Sequence, residues 1–181
     1  MKRILLGLIL GFLMFSGISF AEAVYLMPDS TYEKNWFESG CSVEDYTCID
    51  ETPASTSDYL YRYGGGPNTR GSYGFEDLPE DADTVKSIGV EYYARGYTAA
   101  NFTVFRHIIP VLYTNGGWHY GTMFSTLGSW QYYSEGYRMN PVTEDRWTVD
   151  EVNNLVAGMT PHWLNGGGKV AQMKIYVEYT T

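Results

Sequence analysis

The sequence predicts an all-β protein, an antiparallel β-sandwich of the jelly-roll kind with one short capped α-helix before the C-terminal strand. Short runs of alternating apolar and polar residues recur along it, separated about every 8 to 12 residues by Gly, Pro, Asn or Asp turn signals. Aromatic residues, which favour pleated surfaces, make up 17% of the chain. One helix signature stands out, and it lies just ahead of the last alternating run.

Residues 1–23 read as a cleaved export signal. Lys2 and Arg3 form the charged start, Ile4 to Phe15 is nearly continuously apolar, and Ala21-Glu22-Ala23 supplies the small-x-small cleavage pattern. Cleavage is placed after Ala23, with Ala21 as the alternative. The apolar run is short for an anchor, so the mature protein is expected to be secreted or at the cell surface, with no membrane span. Residues 24–181 suit a single sandwich domain.

Val24 to Met27 is a short first strand, stopped by Pro28-Asp29-Ser30. Cys41 and Cys48, in an oxidising compartment, predict one local disulfide; a redox or metal pair would call for C-x-x-C spacing and a nearby His. Tyr59, Tyr61 and Tyr63 alternate onto one strand face, and Gly64-Gly65-Gly66 breaks that strand. Ser72 to Leu78 follows. The acidic turn Glu80, Asp81, Asp83 lacks calcium-loop spacing and reads as solvated.

Val85 to Arg95 turns Ile88, Val90, Tyr92 and Ala94 to one side. Asn101 to Tyr113 is apolar on both faces, which means either a doubly buried strand or a change of face at a bulge on Pro110. The bulge is favoured, because proline cannot donate to a central ladder. Asn115-Gly116-Gly117 makes a hairpin turn into Trp118-His119-Tyr120, and Gln131 to Met139 is a further aromatic strand.

Thr148-Val149-Asp150-Glu151 matches a capping box. With Val152, Leu155 and Val156 at helical spacing and Gly158 as the stop, it predicts a helix of about three turns. After Gly166-Gly167-Gly168, the run Lys169 to Tyr179 alternates, with Ala171, Met173, Ile175, Val177 and Tyr179 inward.

The functional classes narrow by exclusion. A net charge of −9 argues against nucleic acid, whose phosphates draw on clustered Lys and Arg. His107, His119 and His162 are scattered without metal-ligand spacing; no G-x-S-x-G elbow, phosphate loop or dinucleotide fingerprint is present. No cofactor is implied. Glu91 and Glu135 each stand alone on a strand, without the E-x-D-x-x-E arrangement of many sandwich glycosidases. The sequence therefore assigns no catalytic or metal-binding residue.

Ile49-Asp50-Glu51, Ser57-Asp58-Tyr59, Asp77-Leu78-Pro79, the strand around Val90, Pro141, Trp147-Thr148, Asp150-Glu151-Val152-Asn153, Leu155, Gly158 and Ile175-Tyr176-Val177-Glu178 occur in an order that resembles a family. It is the concanavalin-like jelly-roll domain of phage virion and tail-type structural proteins and of exported microbial proteins. Virion proteins normally lack a cleaved signal, so with one present the resemblance implies an extracellular or surface role, and it brings no catalytic residues.

The expectation is an exported, non-enzymatic structural subunit of an extracellular filament or surface assembly. Its partners would be further copies of itself or other surface proteins, and Val24, Tyr25, Leu26 and Met27 would be the strand donated to a neighbour's sheet. The alternative is a lectin-like carbohydrate-binding module. Seventeen tyrosines and five tryptophans can supply a stacking platform, with Trp118 and Trp130 as the candidates beside Tyr132 and Tyr133. Asn101-Phe102-Thr103 fits a glycosylation sequon.

Overall fold

The computed structural model describes residues 21–41, 44–63, 69–96, 106–126, 128–162 and 167–181. Most of the expected export signal, the 64–66 glycine break, the sequon and the first residues of the 101–113 run lie outside these.

Two six-stranded antiparallel sheets face each other, as the alternation predicts. The front sheet runs β10 (Gln131–Tyr137), β6 (Thr84–Arg95), β12 (Gly167–Thr180), β4 (Tyr59–Tyr63), β3 (Phe37–Ser39), and β1 (Ala21–Leu26) also pairs with β12. The back sheet runs β2 (Pro28–Lys34), β5 (Gly71–Phe75), β11 (Val156–Pro161), β7 (Arg106–Thr114), β8 (Gly117–Tyr120), and β9 (Phe124–Thr126) also pairs with β7. The alternating residues meet between them: Leu60, Val90, Met173 and Ile175 from the front, Ile108 and Leu112 from the back, all fully buried. Tyr92 crosses the gap and donates its hydroxyl to the Gly158 carbonyl at 2.7 Å. A buried phenol needs such an acceptor, so this bond also fixes how the sheets stack.

The 14-residue β12 is the spine of the front sheet. It pairs with β6 from Lys169 to Thr180, with bulges at Val170/Gln172 and Glu178/Tyr179. The Cys41–Cys48 disulfide closes a loop that includes a 3-10 turn at Asp45–Cys48. That loop docks on β12 beside its first bulge, where Met173 N donates to Ile49 O at 3.0 Å.

Three expectations are corrected. The capping box is present, with Glu151 N donating to Thr148 Oγ1 and Thr148 N to Glu151 Oε2, but helix α1 spans only Val149–Asn153. Val156 to Pro161 is instead the strand between β5 and β7, buried at every position. Gly158 is no helix stop: a Cβ there would lie 2.1 Å from the Gly71 carbonyl, so glycine permits the close approach of β5. Pairing on both edges outweighs the weak helical preference of a short segment.

Pro110 makes no bulge in the β7–β11 ladder, whose register runs unbroken from Val156↔Tyr113 to Pro161↔Ile108. β8 pairs with residues 111–114 and β9 with 106–108, so Pro110 lies where neither neighbour on that side pairs with β7. The chain keeps its faces through the proline, and Ile108 and Leu112 both enter the core. The core face is fully buried, while on the other face Val111 is buried and His107, Ile109 and Tyr113 are half-buried, so the doubly buried reading holds only in part.

Lastly, the first strand is Ala21–Leu26 and ends before Met27. Met27 is the crossing between sheets, held by Glu76 Oε2 accepting from its N–H at 3.0 Å and by its carbonyl accepting from Glu76 N at 3.1 Å. The hairpin at Asn115 (φ 49°) and Gly116 (φ 76°) forms as predicted, with both turn residues in the left-handed region. No helix among the described residues is long and apolar enough to cross a membrane.

Candidate functional site

Strand alternation that sends Ile88, Val90 and Tyr92 inward must send Glu91, Tyr93 and Arg95 outward. Register then aligns the neighbours: Tyr132 lies opposite Tyr93, Lys174 opposite Glu91, and Tyr61 opposite both Phe37 and Lys169. The outcome is a row of aromatic rings along the outer face of the front sheet. Phe37 packs on Tyr61 (5.6 Å between centroids), Tyr61 on Tyr59 (6.2 Å), Tyr59 on Trp130 (6.1 Å), Trp130 on Tyr93 (5.4 Å, stacked) and Tyr93 on Tyr132 (4.6 Å). Lys174 then spans Tyr132 and Tyr25, at 6.0 and 3.8 Å from the ring centroids, and Tyr25 packs on Tyr176. Phe37, Tyr25 and Tyr132 are 53%, 46% and 61% exposed, which leaves large apolar area in water at three points of the row.

A groove of about 380 Å³ lies beside the row, lined by Ser87, Glu91, Ser134, Tyr176, Glu178 and Arg138, among others. Its floor is a cross-strand glycine pair, Gly89↔Gly136. A Cβ at either would meet nothing closer than 3.7 Å, so strand packing does not require glycine at these two positions; their effect is to keep the floor low. Above it Glu178 accepts from Ser87 Oγ (2.8 Å) and Tyr176 Oη (3.3 Å), and Glu91 pairs with Lys174 at 3.2 Å. Flat apolar rings beside a trough of carboxylates and hydroxyls suit a ligand with one apolar face and many hydroxyls.

The outer face of the back sheet is organised differently. Trp118 packs against Tyr113 and Tyr32 there, and the Arg70 guanidinium covers its ring at 4.1 Å. Arg70 Nε and Nη2 donate to Glu33 at 2.7 and 3.0 Å, and Nη1 donates to Tyr120 Oη at 2.9 Å. The sequence candidates Trp118 and Trp130 thus stand on opposite faces of the sandwich. Of their companions, Tyr132 joins the front row, while Tyr133 turns inward and stacks on Phe124 at 4.4 Å.

The remaining candidates are placed as follows. Val24 to Leu26 lie within β1, paired in cis from Val24↔Val177 to Leu26↔Ile175. Glu91 faces outward, whereas Glu135, opposite Val90, faces inward and accepts from Thr122 N at 2.7 Å, so these two do not face one another across a cleft. Burial, then the neighbouring Glu135, pushes the Tyr137 hydroxyl far above the usual phenol range. His119 sits edge-on to Tyr137, and the fold brings His107 and His162 together at 5.9 Å between rings. That meeting had no sequence signal, because 55 residues of chain separate the pair. Glu80, Asp81 and Asp83 are exposed in the turn before β6, and no group of three His, Cys, Asp or Glu among the described residues is arranged to hold a metal.

Phe37, Tyr93 and Tyr176 went unnoticed as site residues, and Tyr25 was singled out only as part of the strand to be donated. Only register across four strands aligns them, and no local pattern carries that.

No protein-family model matches the chain, and no curated protein matches it. A solved chain titled BiXyn10A CBM1 APO superposes with a TM-score of 0.32 at 10% identity, over 88% of this chain and 96% of that one. An overlap that loose carries no argument about fold or ligand.

Proposed function

We propose that this is an exported, non-catalytic carbohydrate-binding sandwich that stacks sugar rings along the outer face of its front sheet. The row from Phe37 to Tyr176 carries this reading, because rings left exposed beside a polar trough match the two kinds of surface a pyranose presents. From Arg95 to Gly89 the outward residues of β6 extend roughly 20 Å, long enough for several sugar rings in a row. The ligand class is therefore a polysaccharide chain. A glycan array probed with the mature protein and with Trp130→Ala is expected to show binding to a polymer class that the variant loses; binding to no polysaccharide would remove the reading.

One observation favours assembly as a second reading. β1 is held along one edge, by β12, and it leaves the front sheet at once through Met27, so the part of a neighbour's β1 that follows Ala23 can take the same register, from Val24↔Val177 to Leu26↔Ile175. Light scattering over a range of concentrations tests it: concentration-dependent growth supports exchange, and persistent monomers contradict it.

A further inference from the structure

Resting on the sugar-binding reading, we propose that the end of the front face around Arg95, Lys169 and Trp130 is a subsite for an acidic sugar, one that bears a carboxylate or a sulfate. The placement of charge carries the proposal. Lys169 and Arg95 are direct cross-strand partners between β12 and β6, an arrangement of like charges that weakens a sheet. This happens on a chain of net charge −9, in which acidic groups outnumber basic ones 21 to 12. Yet four cations, Arg62, Arg95, Lys169 and Lys174, are gathered over the rings of this one row.

Within that set the ends of the face differ. Lys174 is matched by Glu91 at 3.2 Å, beside the trough that also holds Glu178. Arg95 has no carboxylate partner among the described residues, and its buried Nε–H has no acceptor there. Its guanidinium lies 5.0 Å from the centroid of Trp130, which stacks on Tyr93 and packs against Tyr59. Lys169 sits 4.0 Å over Tyr59 and donates to its hydroxyl at 2.7 Å. The field there is positive enough to hold the Tyr59 phenol below its usual range, through hydrogen bonds from Lys169 and Ser39 and then the charges of Lys169 and Arg95. A sugar ring stacked on Trp130 or Tyr59 would bring an equatorial anionic substituent to two cations. Guanidinium is the group that pairs most firmly with planar carboxylates and with sulfate oxygens.

The test is affinity electrophoresis through gels containing polygalacturonate, a sulfated galactan or a neutral β-1,4-glucan, with Arg95→Gln and Lys169→Gln beside the parent protein. Thermal melts confirm that each variant folds, and if one fails the other reads the same site. Retardation by at least one acidic polymer is expected, weakened about tenfold by either substitution, as for loss of a charge-assisted hydrogen bond. It should also weaken with added salt, and either substitution should cost more retardation on the acidic polymer than on the neutral one. Retention on polygalacturonate alone identifies a carboxylate, and on the galactan alone a sulfate. Equal retardation by acidic and neutral polymers, unchanged in both variants, overturns the acidic subsite and leaves the sugar-binding reading standing. No retardation by any polymer overturns both.

Discussion

The two outer faces of this sandwich carry similar residues in different states of completion. On the back face Trp118 is capped by Arg70, and Arg70 is itself held by Glu33 and Tyr120, so ring and cation satisfy one another. On the front face a longer row of rings runs beside a trough floored by glycines, and Arg95 has no such carboxylate among the described residues. Composition is the same in kind on both. What separates a structural aromatic cluster from a binding surface is whether its polar groups find their partners within the chain.

Removing one tryptophan from each face breaks the comparison most sharply. Trp130→Ala is expected to cost about 2 kcal/mol of polysaccharide affinity, roughly 30-fold, as for a central aromatic anchor. Trp118→Ala should leave affinity unchanged and lower the melting temperature instead. Titration calorimetry and thermal melts on both variants check this, and a loss of affinity shared equally between them would erase the distinction. Next in size is Arg70→Gln, which opens the closed cluster on the back face. It is expected to cost about 1 kcal/mol of stability, as for a half-buried hydrogen-bonded ion pair, with no change in binding.

How far the sequence reached follows the same division. Period-two alternation identified β4, and it identified β6 and β12 with their inward residues, because core burial enforces that pattern locally: Ile88, Val90 and Tyr92 lie where their spacing put them. The Asn115-Gly116 hairpin and the Thr148 capping box were legible for the same reason, each being complete within four residues. β11 was not, because Val156 to Pro161 is a strand only through ladders to β5 and β7, residues far away in the chain. The site was half legible. Trp130 and Tyr132 could be singled out as aromatic, but Phe37, Tyr93 and Tyr176 join them only through register between strands, and Trp118 is excluded only by the same register.

A smaller effect sharpens the account of the trough. Gly136→Thr places a β-branched residue where a side chain meets no close neighbour, so stability should rise by some tenths of a kcal/mol while affinity falls several-fold. A variant that gains stability and binds as before would mean that the trough is not occupied by ligand.

The smallest effect concerns the seam that both sheets share. Lys34 of β2 reaches Glu38 of β3 and lies 2.8 Å from buried Asp45. Burial, reinforced by the Glu38 carboxylate, pushes Asp45 up from 3.8 to about 6, against the pull of Lys34. The folded state then keeps a proton that the unfolded chain has lost, so the stability contributed by Asp45 falls as pH rises from about 4 to about 6. Melting temperatures of the parent and of Asp45→Asn across that window should show a shallower decline in the variant; identical slopes would exclude Asp45 as the source.

The indole N–H signals in a heteronuclear NMR titration with a polysaccharide fragment test the front-face assignment most directly, since Trp130 and Trp118 report on opposite faces in one experiment. The Trp130 signal is expected to move in step with ligand while the Trp118 signal stays in place. Movement of Trp118 alone, or of neither, would contradict that assignment.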